Sequence, residues 1–139
     1  MRLLLTLLTA AALVAAIVAC SDPFNPTSEN IVGTYVLETL RTGTHDWVAN
    51  GATIDLTLTI DGGTSGHLFM PGAGNGGADV DQDLSGGWML RSDTLYFLQS
   101  PGNFNTFFPY MVWAPHKNRL VALQGLNGSL VRVVLRKRG

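Results

Sequence analysis

Three groups of residues in this 139-residue chain have the types and spacing to do chemistry. Asp79-Val80-Asp81-Gln82-Asp83 sets three carboxylates at alternate positions, the opening of a calcium loop. Leu84 then stands where an EF-hand needs glycine at its sixth position, and Leu90 where it needs a bidentate glutamate at its twelfth. The pattern fits better a strand with Asp79, Asp81 and Asp83 on its outer face and Val80, Gln82 and Leu84 turned the other way, its charges discouraging edge pairing. Gly72-Ala73-Gly74-Asn75-Gly76-Gly77 satisfies G-x-G-x-x-G, but no helix follows and no βαβ unit surrounds it, so it reads as a mobile glycine-rich loop. His45, His67 and His116 are scattered, whereas zinc needs three or four converging ligands. His67 lies on an expected strand, from which it could pair with a distant carboxylate. No G-x-S-x-G occurs, Glu29 and Glu38 are the only glutamates, and the one thiol, Cys20, ends an apolar run. The sequence therefore predicts no enzyme, no cofactor and no bound metal.

Cys20 instead points to an address. Arg2 provides a positive start, residues 3–18 are apolar apart from Thr6 and Thr9, and Ala19 is small, as in an exported signal peptide. The run is slightly short of the roughly 20 residues of a spanning helix, and the next basic residue is Arg41, so no stop signal follows. Ile17-Val18-Ala19-Cys20 resembles the lipobox of bacterial lipoproteins. The resemblance implies that residues 1–19 are removed and that the Cys20 thiol carries a diacylglyceryl group, with its amine acylated. Several acyl chains at roughly 0.8 kcal/mol per buried CH₂ make such a membrane anchor close to permanent. Ser21, rather than Asp, after the cysteine implies the outer membrane, facing the periplasm. Residues 20–30, with two prolines, read as lipidated cysteine and flexible tether.

Without residues 1–19 the chain loses one basic residue, leaving eight against ten acids and a net charge of −2. That balance argues against nucleic acid, which demands a basic face. Arg136-Lys137-Arg138 reads as a solvated chain end rather than a contact with anionic headgroups. A lone cysteine excludes an intramolecular disulfide. One domain, residues 31–139, is expected at this size.

The elements that must carry any site are strands. Thr53 to Ile60 alternates, with Ile54, Leu56, Leu58 and Ile60 on one face. Turn residues punctuate the chain at Asn50-Gly51, Asp61-Gly62-Gly63, Ser92-Asp93 and Asn127-Gly128. Strands are expected over 31–40, 45–49, 53–61, 64–70, 80–91, 94–99, 106–114, 119–124 and 129–137. Eight or nine strands at short spacing, without helical periodicity, predict an all-β antiparallel meander that closes into a small barrel. In 104–113 alternation sets Phe108, Tyr110 and Val112 on one face and Phe107, Met111 and Trp113 on the other. Both faces are apolar, so one points into the barrel and one outwards, with Pro109 at an edge, bulge or kink.

Ile31-Val32-Gly33-Thr34-Tyr35-Val36-Leu37, Gly86-Gly87-Trp88-Met89-Leu90-Arg91-Ser92-Asp93-Thr94-Leu95-Tyr96-Phe97 and Leu130-Val131-Arg132-Val133-Val134-Leu135-Arg136 resemble the first, middle and last strands of lipocalin-like small barrels. The domain is shorter than a full lipocalin and lacks its C-terminal helix and disulfide cysteines. The resemblance implies a carrier for a small apolar ligand, with a cavity near Trp88, Tyr96, Phe108 and Tyr110. The other reading is a protein-interaction or structural envelope module with a solid core. It would use an outer aromatic surface or the loop Gly72–Gly77.

Overall fold

The computed structural model describes residues 26–98, 108–126 and 128–139. Strand β3 (Thr53–Leu58) shows the rule that the rest follow: Ile54, Leu56 and Leu58 are buried while Thr53 and Asp55 face water. The other strands are β1 (Gly33–Thr42), β2 (His45–Asp46), β4 (Gly63–Met70), β5 (Val80–Arg91), β6 (Thr94–Leu98), β7 (Tyr110–Ala114), β8 (Arg119–Leu126) and β9 (Ser129–Lys137). All pairings are antiparallel in the order β1, β3, β4, β5, β6, β7, β8, β9, and β9 returns to β1 from Tyr35↔Lys137 to Thr42↔Val131. Eight strands thus close an up-and-down barrel, with β2 an extra pairing at the end of β1. This is the all-β closed meander expected from the sequence, and it is consistent with the lipocalin-like architecture. Closure satisfies backbone groups that an open sheet would leave along its edges.

Several boundaries depart from alternation for local reasons. The expected strand over 45–49 shrinks to His45–Asp46, because the Asp46 carboxylate accepts the amides of Val48 and Ala49 and turns the chain. β3 ends at Leu58, so Ile60 leaves the inner face and stands 64% exposed in the turn to β4. β1 carries a bulge: the register with β9 passes from Leu37↔Leu135 to Thr39↔Val134, leaving Glu38 as the extra residue. Inward positions therefore switch from odd (Tyr35, Leu37) to even (Leu40, Thr42) within one strand. β4 approaches β3 so closely at Gly66 that a Cβ there would lie 1.9 Å from the Asp55 carbonyl oxygen.

The two barrel ends differ. One is stoppered by the helical turn α1 (Ser28–Ile31), whose first turn is capped by Thr27 and Asn30 bonding reciprocally to each other's amides. Ile31 is fully buried, and the Tyr35 hydroxyl donates to its carbonyl oxygen at 2.5 Å. The Lys137 ammonium donates to the Asn30 carbonyl from the other side of the seam, and burial lowers its pKa. Residues 27–30, expected as tether, thus belong to the folded unit. Above the stopper, Trp113 meets the Tyr35 ring edge-on at 6.2 Å, and the Trp88 indole donates to the Thr59 carbonyl. With Leu56, Leu95, Met111, Leu120 and Leu135 these rings fill the closed half of the barrel.

Candidate functional site: an apolar cup at the open end

At the other end the last inward residues of the strands no longer meet across the axis. They line a cup of about 340 Å³, whose walls include Leu40, Leu68, Met70, Val80, Phe108 and Val131. Among the described residues three segments build its rim. The first is the turn after β2, held by the bonds that Asp46 makes to Val48 and Ala49. Its carboxyl lies below the usual range, first because the Ala49 amide donates to it and then because Arg41 stands 3.3 Å away. That turn holds Trp47 over the cup: the indole donates to the Thr42 hydroxyl at 3.0 Å, and His45 packs edge-on at 4.4 Å. The second is the glycine-rich segment between β4 and β5. The Gly72 amide donates to the Asp79 carboxylate and the Gly74 amide to the Ala78 carbonyl, which bring Ala73 to the rim. The third is the start of β9, where Ser129 adds a hydroxyl beside Val131.

Among the described residues no ionisable side chain lines the cup. The side-chain polar atoms that the described residues bring to it are the Thr42 and Ser129 hydroxyls and the Trp47 indole N–H, which Thr42 already takes. An unpaired charge would find no partner here and would lose its hydration, so the site suits a neutral, largely apolar guest. The volume sits at the small end of ligand pockets, roughly 300–1,000 Å³.

The four residues expected to share a cavity do not. Phe108 lines the cup, but Trp88 is buried deep in the closed half with its indole on Thr59. Tyr96 and Tyr110 point outwards, 38% and 45% exposed, and sit opposite each other across β6 and β7 with ring centroids 6.2 Å apart. Met111 and Trp113 take the inner face of β7 instead, and Phe108 reaches the interior from before Pro109, out of step with Tyr110. Thr42, Trp47, Met70, Val80 and Ser129 were not singled out by sequence. A signal existed: Thr42, Met70, Val80 and Val131 are inward positions at strand ends that open on the same side of the barrel. Cys20 lies outside the described residues.

The remaining motifs resolve into structure. Asp81 and Asp83 face out of β5, and His67 on β4 bridges them, Nε2 to Asp81 at 2.9 Å and Nδ1 to Asp83 at 3.0 Å. The His67 pKa is raised, first by the Asp83 bond; desolvation opposes this, and the charges of Asp81, Asp83 and Asp55 add to the rise. Among the described residues no three His, Cys, Asp or Glu side chains are grouped to hold a metal ion. Acid thus collects on β3–β5. Arg119, Arg132 and Arg136 lie outward on β8 and β9, diametrically across the ring, where an open groove of about 650 Å³ runs beside the turn Pro115–Lys117. Set against known proteins, the chain matches no family model, and no curated protein matches it.

Proposed function

We propose that the protein is a lipid-anchored envelope lipoprotein whose barrel binds a small, uncharged apolar ligand in the cup without chemically altering it. The observation that carries this reading is the cup itself, an apolar recess above a filled closed end, with a built rim and no charged lining side chain among the described residues. Anchoring rests on the lipobox resemblance of Ile17-Val18-Ala19-Cys20, with Ser21 favouring the outer membrane and the periplasm. The folded chain starts at the stoppered end, so the cup opens away from the segment that would carry the acyl chains. Eight positions from Cys20 to Thr27 reach at most about 28 Å. A ligand would then exchange with the aqueous side rather than directly with the anchoring leaflet.

The test uses the full chain and the neutral apolar dye N-phenyl-1-naphthylamine. Saturable one-to-one binding is expected, lost in Met70→Glu and kept in Leu123→Glu, with both variants folded by circular dichroism. Absence of saturable binding, or binding indifferent to Met70→Glu, refutes the cup. Mass spectrometry of the protein from membranes reads the anchor: the expected N-terminus is a diacylglyceryl-bearing Cys20, and a mature N-terminus elsewhere refutes it.

A further inference from the structure

The outside of β6–β9 is unlike the rest of the barrel. Tyr96, Leu98, Tyr110, Val112, Leu123 and Leu130 are all exposed, between 38% and 57%. They are neighbours: Tyr96 sits opposite Tyr110, Val112 opposite Val121, and Leu123 opposite Arg132. Contiguous apolar surface of this kind marks a contact that water does not satisfy. The described outward positions of these four strands include no carboxylate, and their charges are all positive. At the β6 side Arg91 lies over the Tyr96 ring, 5.9 Å from its centroid. At the β9 side Arg132 and Arg41 flank a depression formed with Leu123 and Leu130. Lys117, Arg119 and Arg132 also line the open groove next to it; Glu38 at its edge is taken by Arg119 and Arg136, while Arg132 has no ion pair among the described residues.

The charge decides the occupant. A second copy meeting this face with its own would set Arg132 against an equally cationic surface, in which the Glu38 carboxylate is already held by Arg119 and Arg136. A bilayer bearing anionic phospholipid answers both halves of the face. Tyrosines and leucines enter the headgroup–acyl boundary, where such side chains partition, and the arginines take phosphate oxygens. We infer that the β6–β9 exterior docks side-on against an anionic phospholipid surface. The contact does not depend on the cup or on acylation of Cys20. It leaves the carboxylate-bearing β4–β5 face on the opposite side towards water.

The test places one nitroxide at a time in the full chain carrying Cys20→Ser, reconstituted in phosphatidylcholine vesicles with or without phosphatidylglycerol. The label goes on Leu123→Cys or Val112→Cys in the face, or on Ser85→Cys across the barrel. With phosphatidylglycerol, labels at 123 and 112 should lose collisions with aqueous nickel chelate and gain them with oxygen, while the label at 85 stays wet. Each cation near an anionic leaflet is worth roughly fivefold in partitioning, so Arg132→Glu should weaken docking about twentyfold and return the label at 123 to water. Labels at 123 and 112 as wet as that at 85 overturn the proposal. So does shielding that ignores phosphatidylglycerol and grows with protein density alongside spin–spin broadening, which would assign the face to a second copy.

Discussion

Arg119 and Glu38 stand 81 residues apart in sequence and share a forked contact on the barrel wall. The Arg119 Nε lies 2.9 Å from both carboxylate oxygens and Nη2 lies 2.8 Å from Oε2, with Arg136 at 3.6 Å. The bulge in β1 is what frees Glu38 to reach across β9 to β8. Both side chains are partly shielded, so the pair should exceed an ordinary surface bridge. Glu38→Ala is expected to lower stability by about 1 kcal/mol in urea denaturation. A double-mutant cycle with Arg119→Ala should show positive coupling, and additive losses would rule the pairing out as a source of stability.

Tyr35 ties the stopper to the barrel. Tyr35→Phe keeps the ring and deletes the bond to Ile31, so a loss of about 1 kcal/mol is expected, with faster amide exchange in 28–32. Burial also pushes the Tyr35 phenol well above its ordinary range. In an alkaline absorbance titration the Tyr35 phenol should ionise only as the fold opens. A Tyr35 phenol that ionises while the protein stays folded would contradict this packing.

His67 makes the wall between β4 and β5 respond to pH. Its folded pKa is raised, so its contribution is fully present below the unfolded value of 6.5 and disappears as pH rises through the folded value. Wild type should therefore gain over His67→Gln at about pH 5 and lose that margin near pH 9. The gain is small because the group is exposed to solvent. A margin independent of pH, or a His67 ring resonance titrating below its usual range, would count against the bridge.

Gly66 marks a place without room. A methyl group there would sit 1.9 Å from the Asp55 carbonyl, a backbone atom that cannot rotate aside. Gly66→Ala should cost about 3 kcal/mol or more, at or beyond the top of the usual range for overpacking. Gly125→Ala, with open space around its Cβ, is the matched control. Equal midpoints for the two variants would show that β3 and β4 separate more easily than this contact implies.

The strands were legible because alternation is a local signal: β5 and β9 run over the spans that their residues dictate. His67 and the alternating aspartates of β5 were likewise readable as paired surface groups. What was not legible needs three-dimensional information. Where both faces are apolar, as in Tyr110–Ala114, alternation sorts residues into two sets without saying which set goes inside. Met111 and Trp113 fill the interior, which leaves the tyrosines outside. The bulge at Glu38 inverts the parity of half a strand and is invisible without the partner register. The cup is drawn from β1, β4, β5 and β9, the turn after β2, the glycine-rich segment with Ala73, and Phe108, so no short stretch of sequence could announce it.

The seam between β1 and β9 carries a further consequence. Tyr35 pairs with Lys137, so β1 has nothing along that side until the opposite end of the domain has been synthesised. Such sequence-distant pairing is slow to find, because loop-closure entropy must be met before contacts reward it. A nascent chain ending anywhere before 129 holds β1 with a raw edge, suited to a chaperone and unable to lock. The same register that seals the finished barrel thus keeps the growing polypeptide open until its last strand arrives.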